Sequence, residues 1–454
     1  MAVPREKIAE PLRRAALSVL RGISVVRRSQ YARGAFALFP VAWKASIKKY
    51  LLGMAAGSGR AGRMPASHAV ADPVASPSFE PVTGDAGGVG VNLVGFVRGG
   101  LGLAENLRSL ARSLTAQNFP VRLVDANILD QSRNSDHSAD LRLSDRADFP
   151  IDVYLVNPDQ LPAALEFTRE VRRSDVYRIG YWFWELATIP EEWLDSISLV
   201  DEIWVASEFV GDAFRAVTNK PVTLVPMVVA PSQTAQNAPS GENGPFTFLF
   251  SFDFHSYIAR KNPAAVVEAF IRAFPLGHEP ARLILKTING GIFPERLYDL
   301  LESCSKDRRI VVNDAYMQRN EMLALMSGMD AYISLHRAEG FGLGLAESMA
   351  LGKPVIGTGY SGNLQFMNAS NSMLVDYVLT KVMPGDYMHG AGQFWAEPDI
   401  GHAASLMRSL VADRVGANAL GDRAREFMRA HHSPKVSGEA IVQRLRSIYQ
   451  DRFG

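Results

Sequence analysis

Two glutamates, Glu339 and Glu347, stand eight positions apart in HRAEGFGLGLAESMALGKPVI, residues 336–356, with Gly340, Gly342 and Gly344 between them. Glycines this dense let a backbone come close to something. A glycine turn that opens a helix also presents unpaired N–H groups and the positive end of the helix dipole, which together hold an anion. Carboxylates do not suit an anion; they accept hydrogen bonds from hydroxyls. Eight residues span ~12 Å if helical, wider than the ~5–9.5 Å over which paired carboxyls work on one glycosidic bond. The two acids therefore suit different parts of one ligand, a hexose and a ribose, with a pyrophosphate between them on the glycine amides. A hydrolase pair fits less well. A dinucleotide-binding fingerprint also loses its support, because Gly344 is misplaced for G-x-G-x-x-G.

Other residues carry usable chemistry. Gly99, Gly100 and Gly102 follow the apolar run Val91–Phe96 and precede a helical pattern. The hexapeptide GLGLAE occurs at 100–105 and again at 342–347, each copy reading as a glycine turn that opens a helix with an acid in its first turn. The copies stand at non-corresponding places, so no duplication is inferred. YWFWELATIPEEW, residues 181–193, sets four aromatics before Glu185 and adds Trp193. Aromatic faces stack on sugars and carboxylates bind their hydroxyls, which makes Trp184 and Glu185 candidates for sugar or acceptor binding. An aromatic core with a buried acid is the competing reading. His336 and Arg337 precede Glu339 and either serve the site or end a strand. Arg260 and Lys261 either face a diphosphate or lie on a solvated surface. No Cys/His spacing suggests zinc and there is no Asp-X-Asp pair, so no metal site is expected.

These residues need elements to hold them. Short apolar runs alternate with helical patterns: GVNLVGF, PVRLVD, DVYLVN, YRIGYWFWE, EIWVAS and PVTLVP, then FTFLFSFDF, ARLILKT, RIVVND, DAYISLH and PVIGT. Such alternation indicates mostly parallel, doubly wound sheets. The polar stretch APSQTAQNAPSGENGP, 230–245, reads as a linker between two halves. The expected organisation is a Rossmann-like domain at 89–232, a second at 245–435, and a final helix at about 436–454 packing back on the first. A cleft between two such halves lets the carboxyl ends of both sheets meet one ligand.

At 454 residues, 47% hydrophobic and 21% charged, the chain has an ordinary globular composition and room for two cores. The single cysteine, Cys304, rules out an intrachain disulfide and fits a reducing compartment. The net charge of +1 hides an asymmetry. Residues 1–63 hold 13 of the 48 Lys/Arg but only two of the 47 acids, Glu6 and Glu10. The amino end is thus about +11 and the rest about −10, a split that points to an anionic partner. Residues 1–52 read as a basic amphipathic extension, with Leu12, Ala16, Val19, Leu20 and Ile23 near one helical face, and 53–88 as a flexible Gly/Ala/Ser/Pro-rich linker. Such an extension suits an anionic membrane surface. A solvated tail and an organelle transit peptide share the composition. No run approaches ~20 apolar residues, so no membrane-spanning helix is expected.

EGFGLGLAESMALGKPVIGTGYSGN resembles the E-x7-E signature of the retaining GT-B glycosyltransferases of family 4. RKNPAAVVEAFIRAF is similar to that family's basic donor-phosphate segment, and GGLG to its N-terminal loop. The resemblance covers roughly residues 90–450. It implies an α/β chain of GT-B architecture: two Rossmann-like domains facing across a cleft, here with a basic N-terminal helical extension. The nucleotide would lie on the C-terminal domain and the acceptor on the N-terminal one, with no metal needed for catalysis. By position, Glu339 would hold hydroxyls of the transferred sugar and Glu347 those of the ribose. Gly340, Phe341, Gly342 and Leu343 would bring backbone groups to sugar and phosphate, and Gly99 and Gly100 would close on the donor. Lys261, with Arg260, would face the diphosphate leaving group, where a fixed cation offsets charge that grows as the bond breaks. Tyr316 and Met317 would lie by the base, and Asn363 by the donor sugar. The sequence departs from the family pattern twice. His255 stands where many relatives have an arginine six residues before the lysine, and 181–193 lacks their sugar-contacting histidine.

The implied activity is retaining transfer of a hexose from a GDP- or UDP-linked sugar to a polysaccharide, oligosaccharide or lipid-linked acceptor. GYWFWE and YSGN are similar to segments of bacterial polysaccharide mannosyltransferases, which suggests GDP-mannose. Beyond that co-substrate no cofactor is expected, and no nucleic acid. The implied place is cytoplasmic, peripheral on the inner membrane face through residues 1–52. Two alternatives are an epimerase or phosphorylase of the same fold and a carbohydrate-binding protein without catalysis. No context for a pyridoxal-binding lysine favours the phosphorylase, and Glu339, Glu347 and Lys261 together argue against the binder.

Overall fold

The computed structural model describes residues 88–99, 102–126, 139, 143–169, 175–229, 231 and 244–454. The basic extension, all but residue 88 of the 53–88 linker, Gly100 and most of 230–245 lie outside the described residues.

Six runs of the first half form one parallel sheet: β1 (Val91–Gly95), β2 (Val121–Asp125), β3 (Ile151–Leu155), β4 (Tyr177–Tyr181), β5 (Glu202–Val205) and β6 (Val222–Leu224). Their order is β2-β1-β3-β4-β5-β6. β1 and β3 are buried along their whole length, as strands covered on both faces must be. The run YRIGYWFWE is a strand only to Tyr181, and Trp182–Glu185 continue as irregular chain at its carboxyl end.

The second half repeats the architecture with β7 (Phe246–Asp253), β8 (Ala281–Ile288), β9 (Ile310–Asp314), β10 (Ala331–Ser334), β11 (Val355–Thr358) and β12 (Met373–Val375). All are parallel, in the order β12-β11-β10-β7-β8-β9. In β7, residues two apart share a face, and Phe246, Phe248, Phe250 and Phe252 are all buried. Phe248 meets Phe270 and Phe274 around the following helix Pro263–Ala273 at 6.5 and 6.2 Å between ring centres. Each such ring contributes roughly 1.5–3 kcal/mol by burial. The sheet reverses its winding between β7 and β10, and open α/β sheets bind ligands outside the carboxyl ends of their strands at that reversal.

Two features complete the fold. An antiparallel hairpin, β13 (Tyr377–Lys381) with β14 (Phe394–Pro398), follows β12 and belongs to neither sheet. The last helix, Pro434–Arg452, runs back along the first-domain helix Gly102–Ala116. Ser433 caps it and Pro434 opens it, the usual pairing at a helix start. A Cβ on Gly438 would lie 2.5 Å from Ser113 Oγ, so the close approach of the two helices needs glycine there. Arg444 then reaches Glu202, whose side chain is fully buried in the first sheet, through two hydrogen bonds of 2.9 and 2.8 Å.

Candidate functional site

The reversal point of the second sheet gathers the cations and one of the acids. After β7 the chain takes a left-handed residue at Tyr257, makes one helical turn over Ile258–Lys261, and takes another left-handed residue at Asn262. This short turn presents Arg260 and Lys261 to the segment leaving β10. Arg337 N–H donates to Arg260 O at 2.8 Å and the Arg337 guanidinium to Ala259 O at 2.6 Å, so the two segments are knitted together. Arg260 Nη1 donates to Ala338 O at 2.9 Å and to Glu339 Oε2 at 3.0 Å, while Lys261 Nζ pairs with Glu339 Oε1. Burial pushes the Glu339 carboxyl upward, but Lys261 and Arg260 outweigh it and hold it at about 2. Burial also draws Lys261 below its ordinary value against the pull of Glu339. The result is a buried carboxylate, ionised at neutral pH, with a cation on each oxygen. Arg260 is 5% exposed and its Nη groups are occupied by Ala338, Glu339 and Glu185. In this arrangement it orders the cluster by joining Glu339 to Glu185.

The glycine turn does two jobs. Gly342 has φ +96° and caps the helix Leu343–Ala350, a conformation that favours glycine. A Cβ on Gly340 would stand 3.0 Å from Trp184 O, and Ser207 Oγ donates to Gly340 O at 2.7 Å. At Gly340 the backbones of the two domains thus come close. Glu339 N–H donates to Ser361 Oγ at 2.8 Å, and Gly362 N–H to Glu339 O at 2.8 Å, which fixes the acid's backbone. Lys261, Glu339, Ser251, Ser334, Gly342 and Gly344 line a small cavity of about 80 Å³. The Phe341 ring is buried against Phe366 and His432 and belongs to the core. Leu343 is half-buried at the helix start.

Glu347 lies at the other end of the turn. It is the fifth residue of its helix, so it falls past the first turn where the sequence pattern put it; Glu105 does occupy the first turn of Gly102–Ala116. Glu347 is buried and pairs with Arg319 Nη2. The same guanidinium places Nε 3.8 Å from Glu105 Oε1 of the first domain. Glu105 also binds Arg108 and Arg112 at 3.0 and 2.7 Å. Burial raises the Glu105 carboxyl, yet Arg112, Arg319 and Arg108 together lower it. Arg108 donates to Val97 O and Gly99 O at 2.8 and 3.0 Å, which holds the Gly99 loop. Tyr316, three residues before Arg319, is 56% exposed.

Three further candidates divide differently. Glu185 faces Arg260 across the domain boundary at 3.4 Å and accepts from Tyr387 Oη. Trp184 is 1% exposed, its Nε1 donates to Thr188 O at 2.8 Å, and its ring packs on Trp193 and Tyr387. Its ring is buried within this aromatic cluster. His336 is fully buried beside Glu339 in sequence. Asn363 Nδ2 donates to Thr358 O at 2.9 Å, so its Oδ1 accepts from His336 Nε2 at 3.1 Å. Burial lowers His336 and keeps it neutral. Its Nδ1 then accepts from Ser334 Oγ at 3.2 Å. His336 and Asn363 thus form a buried hydrogen-bonded pair tied to Ser334 and Thr358. Sequence reasoning missed Arg319 and Tyr387. A cation in the RNEM helix start, just after the Tyr316–Met317 loop, was a usable signal for Arg319; nothing in the sequence marked Tyr387. Among the described residues no cluster of His, Cys, Asp and Glu could hold a metal ion, and no helix is long and apolar enough to cross a membrane.

Residues 254–376 match the family Glycosyl transferases group 1, so the second domain carries a domain of that type. Sucrose-phosphate synthase from Thermosynechococcus elongatus is similar in structure with a TM-score of 0.58 at 15% identity, covering 80% of this chain and all of that one. Anabaena HepE, in complex with UDP and glucose, is similar at 0.55 and 12% identity, covering 79% of this chain and all of that one. A glycosyltransferase from Rickettsia africae ESF-5 gives 0.55 at 13% identity, covering 80% and 99%. At such identities the likeness establishes the fold, two Rossmann-like domains of GT-B type. No curated protein sequence matches the chain.

Proposed function

We propose that this chain is a retaining, metal-independent glycosyltransferase of the E-x7-E type that moves a hexose from a nucleotide-sugar to a glycan or lipid-linked glycan. The observation that carries the reading is Glu339, ionised and buried between Lys261 and Arg260 at the reversal point of a group 1 glycosyltransferase domain. In this reading Glu339 accepts from sugar hydroxyls and Glu347 from ribose hydroxyls. Lys261, the more exposed cation, stabilises the diphosphate as the bond from the anomeric carbon to its oxygen breaks. The acceptor oxygen bonds to the same face of that carbon, and a phosphate oxygen takes its proton. Gly340 and Gly342 bring the backbone to the phosphates, and Gly99 and Gly100 close from the first domain. No cofactor beyond the nucleotide-sugar enters the reading.

GDP-mannose is the first donor candidate, and because HepE is described with UDP and glucose, UDP-sugars belong in any panel as well. A thermal-shift panel of GDP- and UDP-sugars is the direct test. A shift for at least one sugar nucleotide, with transfer or donor hydrolysis lost in Glu339→Ala, supports the reading; no shift with any of them overturns it. Residues 1–52 would hold the protein to an anionic membrane surface on the cytoplasmic side, near a lipid-linked acceptor. A form lacking residues 1–63 should lose binding to anionic liposomes, and undiminished binding would remove the membrane role.

A further inference from the structure

The hairpin β13–β14 begins at Tyr377, one residue beyond the segment that matches the glycosyltransferase family. Its connecting loop, 382–393, crosses to the first domain. Gln393 Oε1 accepts from Thr188 N–H at 3.0 Å, Gln393 Nε2 donates to Thr188 O at 3.1 Å, and His389 Nδ1 lies 3.3 Å from Glu192. At the base of this strap stands Tyr387. Its ring packs on Tyr257, Trp184 and Trp395 at 4.8, 5.6 and 6.5 Å and lies under the Arg260 guanidinium at 5.9 Å. Its hydroxyl donates to Glu185 Oε2.

Glu185 is the junction. It comes from the first domain, its side chain keeps 21% of its surface, and its other oxygen pairs with Arg260. Arg260 in turn binds Glu339, and Glu339 binds Lys261. The chain Tyr387–Glu185–Arg260–Glu339 thus runs across both domains and ends on one acid of the glycine turn. The other acid, Glu347, belongs to a separate group with Arg319 and Glu105. The two ends of the site are therefore held by different parts of the molecule.

We infer that Tyr387 is a positioning residue for the sugar end of the site: through its hydroxyl it aims Glu185 at the hydroxyls of the transferred sugar. The inference rests on the donor reading given above. Without that hydroxyl, Glu185 keeps its ion pair with Arg260 and swings toward it, away from the sugar. The chain reaches the nucleotide end only at its far member, Lys261, beyond Glu185, Arg260 and Glu339, while Glu347 is held by a separate group. The strap accordingly selects for what is attached to the nucleotide, not for the nucleotide itself.

Tyr387→Phe keeps the ring packing and removes the hydroxyl alone. Calorimetric titration of the full chain with UDP and GDP, and with UDP-glucose and GDP-mannose, separates the two ends. The account expects nucleotide affinity within about twofold of wild type and affinity for the matching sugar nucleotide weaker by about tenfold, the effect of one lost hydrogen bond to a charged group. Glu185→Gln, which keeps volume and removes the charge, should show the same split and guards against a folding defect in the first variant. Equal losses for nucleotide and sugar nucleotide, or no loss for either, would make Tyr387 a structural strap only and overturn the inference. A wild type that binds none of the four overturns the donor reading and this inference with it. A wild type that binds them while the variant shows no split overturns the inference alone.

Discussion

A carboxylate placed between two buried cations is more demanding than either cation alone. Truncating one member leaves the others desolvated and uncompensated, which costs about 3–5 kcal/mol in buried pairs. Glu339→Ala should therefore lower stability by an amount of that order, measured as a shift of the urea midpoint at constant slope. A midpoint within error of wild type would mean that the cluster is solvated and Glu339 is not held as described. The pH dependence has a definite sign. The Glu339 carboxyl lies at about 2 when folded, against 4.5 ordinarily, so its contribution is fully present above about pH 5. It disappears as pH falls through 4.5 toward 2, a loss on the order of 3 kcal/mol. Denaturation followed between pH 6 and 3 should show wild type losing stability faster than Glu339→Gln. Parallel curves would contradict the assignment. At this scale the sequence was informative where one short stretch held the chemistry: Glu339, Glu347 and their glycines were visible together. It was silent where partners come from distant segments. Arg319 and Tyr387 reach Glu347 and Glu185 through tertiary packing, which no local pattern encodes.

Among the elements, strands read clearly because buried parallel strands are continuous apolar runs, as in FTFLFSFD and IDVYL. Less legible was the hairpin: β13 is exposed along most of its length, and MPGDYMHGAGQ between its strands reads as plain loop. The exact helix start at Leu343 was also hidden, because any of three glycines could have capped it; Gly342, with φ +96°, is the one that does. The last helix gives the element-scale prediction. Arg444 is 30% exposed while its partner Glu202 is fully buried. Arg444→Ala strands that carboxylate, leaving it Tyr177, Trp204 and Thr223 as donors. The cost should fall near the lower end of the ~3–5 kcal/mol range for a broken buried pair, given the solvent on the arginine side. Hydrogen exchange should accelerate first in Pro434–Arg452. Uniform acceleration across both domains would show that the helix is not anchored locally through this pair.

The whole molecule works as two sheets whose carboxyl ends meet, and at Gly340 the backbones of the two halves come close. A methyl group there would press on Trp184 O at 3.0 Å. Gly340→Ala is expected to leave each domain folded while parting the cleft, seen as a larger radius of gyration in solution scattering and at least a tenfold loss of transfer. Unchanged scattering with full activity would mean the domains do not meet at Gly340 when working. The central claim is that the acids at the two ends of the glycine turn serve the two sugars of one donor. Titrating wild type, Glu339→Ala and Glu347→Ala with one sugar nucleotide and its free nucleoside diphosphate tests it directly. The account predicts that Glu347→Ala weakens both ligands alike, whereas Glu339→Ala weakens the sugar nucleotide well beyond the diphosphate. Equal losses for both ligands in both variants would contradict it.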